Sequence, residues 1–278
     1  MPIHDAVLPP EQPTFYQALR DSGYRVGIVG KTDLHKRDTY CGVKGDLPAC
    51  TITALPTGGN RGQNEQRLVR YQPDGSIYPM GPYQKYLMDK DPELMRTLEK
   101  DYRSYMRQKP RYYAQPSVLP DEVFLDTFIG EKSLEWLNEH DNTGAPWHLT
   151  VSFAGPHNPW DPPKEDYDAV GDTLWPDPIP NDMEGKPAWI RRRAAQQTGG
   201  MTQADLQQVK RCYAGSVRVI DRWIGKLLDW LETSGHKMIR SSSSAPTTAS
   251  CWATTAYWKR AACTKAACAS PCWSTCRV

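Results

Sequence analysis

Thr14 to Lys36 reads TFYQALRDSGYRVGIVGKTDLHK, a helix feeding a strand that empties into a polar loop. Pro13 sits near the helix start, Phe15 and Leu19 fall four apart on one face, and Gly23 suits the left-handed position just past the end. Tyr24 to Val29 then run apolar, as a buried strand would. Gly30 to Lys36 follow directly, so their side chains are expected at the carboxyl end of a sheet, where open α/β folds place their ligands.

Working outward, residues 41–120 are polar and rich in Gly, Pro and Tyr with no sustained period, which predicts a long irregular excursion. Order returns at Asp121, a helix N-cap by its type. Leu125, Phe128, Ile129 and Trp136 follow on one helical face. The strand HLTVSFA, residues 148–154, runs into GPHNPWDPP, residues 155–163, whose prolines forbid further ladder pairing and stiffen the loop. Thr202 and Asp205 have capping-box spacing. Leu206, Val209, Tyr213, Val217, Ile220, Ile224, Leu227 and Leu231 then step by three and four, predicting one long helix whose apolar face covers a sheet. Helix, strand, helix, strand, helix in this order predicts an α/β fold, a layered and mainly parallel sheet flanked by helices.

Composition narrows the partners. The chain has 278 residues, 39% hydrophobic and 24% charged, with a formal net charge of +2. Residues 1–240 carry 30 basic against 32 acidic side chains, a net of −2, so a nucleic-acid surface is not implied. No apolar run reaches membrane-spanning length, and MPIHDAVLPPEQ lacks the layout of a secretory signal. As written, the chain reads as cytoplasmic, with no membrane partner.

The last 38 residues belong to a different text. Five of the eight cysteines, Cys251, Cys263, Cys268, Cys272 and Cys276, crowd there, and 27 of the 38 residues are Ala, Ser, Thr or Cys. Between Ser241 and Cys276 there is no Asp, Glu, Leu, Ile, Val, Phe or Gly. The genetic code allows a test of a shifted frame, joining the third base of each codon to the first two of the next. Cys251, Trp252, Tyr257, Trp258 and Cys272 then become Leu, Gly, Leu, Glu and Leu, and Thr247-Thr248-Ala249 permits Asp-His-Gly, as does Thr254-Thr255-Ala256. If Ser241 to Ser244 use T-C-N codons, they become four residues drawn from Phe, Leu, Ile and Val, an apolar strand. The competing reading is a genuine Cys-rich tail of a non-enzymatic protein, binding metal or forming disulfides. The gaps of four, three and three residues from Cys263 match no paired Cys-x-x-Cys zinc site.

The shifted Asp-His-Gly loop resembles the metal loop of the sulfatase family, within the alkaline-phosphatase-like superfamily. TFYQALRDSGYRVGIVGKTDLHK resembles that family's helix, strand and Gly-Lys loop, FAGPHNPWDPP its Pro-His-x-Pro loop, and YAGSVRVIDRWIGKLLDWL the long helix before the Asp-His-Gly strand. The resemblance implies a sulfuric ester hydrolase acting on a small-molecule or carbohydrate sulfate ester. Lys31 would hold the nucleophile and a sulfate oxygen, and His157 would hydrogen-bond the sulfate. The usual Gly-Lys-x-His spacing is broken, since Asp33 stands two after Lys31 and the histidine is His35; His35 is taken as substrate-binding, with Asp33 as the alternative. Arg191 to Arg193 read as a solvated charge run.

Calcium, or magnesium in some relatives, is implied for an intact family member, but no recognisable ligand set is legible in this chain. The family's nucleophile, a cysteine in Cys-x-Pro/Ala-x-Arg oxidised to formylglycine, is also missing, because Cys41, Cys50 and Cys212 stand in other contexts. The expectation is therefore a partial catalytic domain over residues 1–240, truncated at its N-terminus, and a frameshifted tail over 241–278, together catalytically incompetent. A phosphodiesterase or phosphonate hydrolase of the same superfamily is the alternative activity.

Overall fold

The structure is a computed structural model that describes residues 13–31, 50–55, 69–71, 73–74, 76–79, 82–108, 113–141, 144–157, 159–176, 184–192 and 201–234. Helix α1 (Phe15–Asp21) leads into strand β1 (Arg25–Lys31). The Thr14 hydroxyl accepts from Gln17 N–H at 3.3 Å while the Gln17 side chain accepts from Thr14 N–H at 2.9 Å, a reciprocal cap. At the other end Gly23 takes φ 89°, its N–H reaches Arg20 O at 2.9 Å, and Tyr24 N–H reaches Leu19 O at 3.0 Å. That is a Schellman stop, which needs a residue without Cβ strain where Gly23 stands.

Among the described residues strand β1 is the centre of a three-stranded parallel sheet, between β2 (Cys50–Leu55) and β5 (Trp147–Ser152). Parallel strands are covered on both faces, and β1 shows why its residues suit that place. Val26 and Ile28 turn to α1, packing with Tyr16 and Leu19, while Val29 turns the other way into a cluster with Phe128 and Ile129 of α4 (Leu125–His140). Each such fully buried side chain is worth roughly 1.5–3 kcal/mol. Gly27 shares the α4 face; a Cβ there would come within 2.5 Å of the Trp136 indole, so the glycine lets that ring lie against the strand.

Residues 41–120 hold more order than their polar text suggests. Besides β2, they contain the antiparallel pair β3 (Val69–Tyr71) and β4 (Ile77–Pro79), then α2 (Pro82–Lys90) and α3 (Pro92–Gln108). Tyr83, Leu87, Met95 and Leu98 of these helices are buried in the same cluster as Val29 and Phe128. The apolar positions are shared between two helices that break at Asp91-Pro92, so no single window displays the period.

Asp121 is not the cap of α4. A 3-10 turn (Asp121–Val123) and the extended residue Phe124 intervene, and Phe124 occupies the N-cap position. Asp121 instead accepts from Arg222 at 2.6 Å and from the Thr127 hydroxyl at 3.0 Å.

The final helix, α6 (Gln203–Thr233), starts with the predicted cap: Asp205 N–H donates to Thr202 Oγ1 at 3.2 Å and Thr202 N–H to Asp205 Oδ2 at 2.8 Å. Its period is as predicted, with Val209 buried and Leu206, Tyr213, Ile220, Leu227 and Leu231 half-buried, but the most buried row is offset from the predicted one. The buried positions are Val209, Cys212, Gly215, Ser216, Val219 and Trp223, whereas Val217 and Ile224 are exposed. The helix also packs chiefly on α4 and on α5 (Lys164–Val170) rather than on the sheet. Small residues explain the shift: a Cβ on Gly215 would meet Pro162 at 2.8 Å, so close approach, not hydropathy, selects the inward face.

Candidate active site

Strands β1 and β5 run parallel as neighbours, with Gly30 opposite Ser152, so the loops that follow them leave the sheet at the same carboxyl edge. Adjacent strands lie about 4.8 Å apart, so the Lys31 backbone and the chain that leads from Ser152 to His157 leave from neighbouring strand ends. Gly30 is at φ 101°, and a Cβ there would strike the Ser152 carbonyl at 2.0 Å. Only glycine lets the two strand ends sit this close. The Lys31 backbone closes β1 and pairs with Leu55. Its side chain, and the whole of Asp33 and His35, lie outside the described residues.

His157 is described and half-buried. Its loop is pinned at both ends. At the start, the carboxylate of Asp126, on the first turn of α4, accepts from Ala154 N–H at 2.7 Å and from Gly155 N–H at 3.0 Å, and the Gly155-Pro156 peptide that follows is cis. At the far end, Trp160 N–H donates to Tyr113 O at 2.9 Å, Gln115 N–H to Trp160 O at 3.1 Å and Ser117 N–H to Pro162 O at 2.8 Å. Pro162 in turn rests on Gly215 of α6. A histidine in the middle of a proline-rich segment held this way is presented on a rigid bracket.

Two charged features lie behind the loop. Asp126 is fully buried, and burial pushes its carboxyl up to about 6, against the lowering effect of the two backbone N–H groups it accepts. Arg222 of α6 bridges Asp121 at 2.6 Å and Asp166 at 3.2 Å, tying the turn before α4 to α5. Burial raises the Asp166 carboxyl above its ordinary value, Arg222 opposes that, and the nearby Asp121 charge adds to the rise.

Cys212 is buried in α6, and burial pushes its thiol up to about 12, so it stays protonated and is no nucleophile at neutral pH. Arg191 and Arg192 are exposed, and Arg193 lies outside the described residues. Among the described residues no three His, Cys, Asp or Glu side chains gather to hold a metal ion, so these residues do not fit the calcium or magnesium that the resemblance implies. Also among them, no helix is long and apolar enough to cross a membrane.

Asp126 escaped the motif reading. The available signal was a carboxylate inside the apolar run LDTFIG, three residues before Ile129 and therefore on the inward face of the helix.

The chain is 28% identical over 126 residues to an arylsulfatase of Clostridium perfringens, an alignment covering 45% of this chain and 26% of that relative. Its fold is similar to that of a phosphonate monoester hydrolase from Silicibacter pomeroyi, with TM-score 0.56 and 16% identity over 94% of this chain and 52% of that one. A protein solved in complex with its substrate D-glucosamine-2-N, 6-O-disulfate is similar at TM-score 0.48 and 17% identity, over 84% of this chain and 49% of that one. The chain thus spans about a quarter of the length of the arylsulfatase and about half of each of these solved structures. The profile of the family described as Sulfatase matches residues 2–238, nearly all of the chain before the Cys-rich tail, and with the parallel sheet, its flanking helices and the Pro-His loop in their expected order this chain belongs to the sulfatase family.

Proposed function

We propose that residues 1–240 are part of the catalytic domain of a sulfate-ester hydrolase, with Lys31 and His157 in its substrate site. The observation that carries this reading is the pairing of Gly30 with Ser152, which sends the Gly-Lys and Pro-His loops from one sheet edge. A sulfate ester carries one diffuse negative charge, and its cleavage calls for cations and donors around the nonbridging oxygens and a group to protonate the leaving oxygen. Lys31, whose backbone ends β1, supplies a positive charge. The half-buried His157 supplies a donor from a loop that cannot sag away. His35 is proposed as a further substrate contact, with Asp33 the alternative, and the substrate is a small-molecule or carbohydrate sulfate ester. Calcium or magnesium is proposed as the cofactor of the intact enzyme on family grounds.

The chain as it stands is proposed to be silent in turnover. None of its cysteines stands in Cys-x-Pro/Ala-x-Arg, and covalent catalysis without a nucleophile does not proceed. Residues 241–278 are proposed to be a shifted frame of the Asp-His-Gly strand and loop. The test is an assay of the purified chain with a chromogenic aryl sulfate and added calcium, beside an aryl phosphonate to cover the related ester class. The expected result is no turnover above a Lys31→Ala, His157→Ala control, and clear turnover once the shifted frame and the nucleophile motif are restored. Loss of a single transition-state donor costs about two to three orders of magnitude, so the restored enzyme should fall by at least that much on His157→Ala. Full activity in the His157→Ala restored enzyme would remove His157 from the site.

A further inference from the structure

We propose that Asp126 is a positioning residue whose carboxylate, through the N–H groups of Ala154 and Gly155, sets the place of the loop that carries His157. The functional importance of that placement rests on the sulfate-site reading above; the geometry stands by itself. Along a β-strand consecutive N–H groups point to opposite edges, so one carboxylate can take two in a row only where the chain has left the strand. Asp126 takes Ala154 N–H at 2.7 Å and Gly155 N–H at 3.0 Å, two and three residues after β5 ends at Ser152. The carboxylate therefore marks where ladder geometry stops and the turn to His157 begins.

Three further features fit a positioning role better than a packing role. A fully buried carboxylate is costly unless its oxygens are satisfied, and among the described residues no cation lies against Asp126; the two backbone donors are what satisfies it. A neutral apolar side chain would fill the same space at lower cost but could accept neither N–H. Gly155 matches the acid from the other side, since a Cβ there would lie 2.5 Å from Asp126 Oδ2. Pro156 then restricts the backbone between this contact and His157, so a displacement at Gly155 is passed on rather than absorbed.

Asparagine is the sharpest probe, being the same shape with one acceptor in place of two; its NH2 would face one of the two N–H donors. The full chain is labelled for NMR, and the imidazole resonances of its six histidines are assigned by substitution. His140 in α4 and His148 in β5 serve as internal references on the two elements that flank the contact. In Asp126→Asn, and independently in Gly155→Ala, the His157 ring resonances should move while those of His140 and His148 hold, and inorganic sulfate should bind about tenfold more weakly. In the unmodified chain the Ala154 and Gly155 amides should exchange with solvent at least about tenfold more slowly than the His157 amide. If the three histidines move together, if none moves, or if both amides exchange at the His157 rate, Asp126 does not position the loop. A wild-type His157 resonance that ignores added sulfate would instead sink the sulfate-site reading, and the comparison among the three histidines would still decide the role of Asp126.

Discussion

Gly130 of α4 lies directly under the indole of Trp223 of α6, so close that a Cβ added to Gly130 would fall 2.1 Å from Trp223 Cδ2. The same indole donates to the Thr127 hydroxyl at 3.3 Å, one helical turn earlier on α4. Helix α6 is thus seated on α4 at this point by an aromatic ring fitted into the space of a missing side chain, and further along Trp230 donates to Asn138 Oδ1 at 2.7 Å.

Gly130→Ala should therefore destabilise the fold by about 1–3 kcal/mol, the usual cost of overpacking. The helix-propensity gain of about 1 kcal/mol works in the opposite direction and only trims the loss. A denaturant midpoint that stays put or rises in Gly130→Ala would show that α6 is not seated as described.

Arg222→Ala leaves Asp166, which is buried, without its 3.2 Å partner and Asp121 without its 2.6 Å one. The expected loss is about 1–3 kcal/mol, that of a buried polar group stripped of its hydrogen bond. Both contacts come from the one nitrogen Nη2, so a lysine could replace the charge; its shorter stem and more strongly hydrated ammonium mean that Arg222→Lys should recover only part of the stability. Denaturation of the two variants side by side checks this; equal stability of Arg222→Lys and the parent would mean the bridge acts by charge alone.

The Asp126 carboxyl is pushed from its ordinary 3.8 up to about 6 in the folded chain, so between those pH values the folded state binds the proton that the unfolded state has released. Its contribution to stability consequently falls as pH rises through this window, by about 3 kcal/mol in all, and is level above it. Asp126→Asn has no such proton. The stability difference between parent and Asp126→Asn, measured by denaturation from pH 4 to pH 7, should shift steadily in favour of the variant and then flatten. A difference independent of pH would mean that the carboxyl is not raised.

The tail reading makes a prediction at the level of the gene. Sequencing through the codons around residue 240 should reveal an inserted or lost base, with the other frame encoding an apolar strand followed by Asp-His-Gly. An intact present frame, together with disulfides or bound zinc in the expressed protein, would establish the Cys-rich tail as genuine.

Local chemistry was enough to read several parts of this molecule from its text. The Thr202 cap, the helix stop at Gly23, the two apolar strands and their order all depend on contacts within a few residues, and they stand where the sequence places them. The parallel pairing of the strands that end at Gly30 and Ser152 follows as well, once consecutive apolar strands separated by helices are taken as parallel. Tertiary structure decided the rest. Hydropathy put Val217 and Ile224 inside, but small residues at Gly215 and Ser216 and the fit of Trp223 over Gly130 offset the inward face of α6 so that these two are exposed. Asp121 looked like a cap until Arg222, 101 residues away, drew its carboxylate aside. The place of Asp126 three residues before Ile129 turns it inward but does not say what satisfies it: its two donors come from residues 28 and 29 positions later, and a partner supplied only by folding leaves no trace in the local sequence.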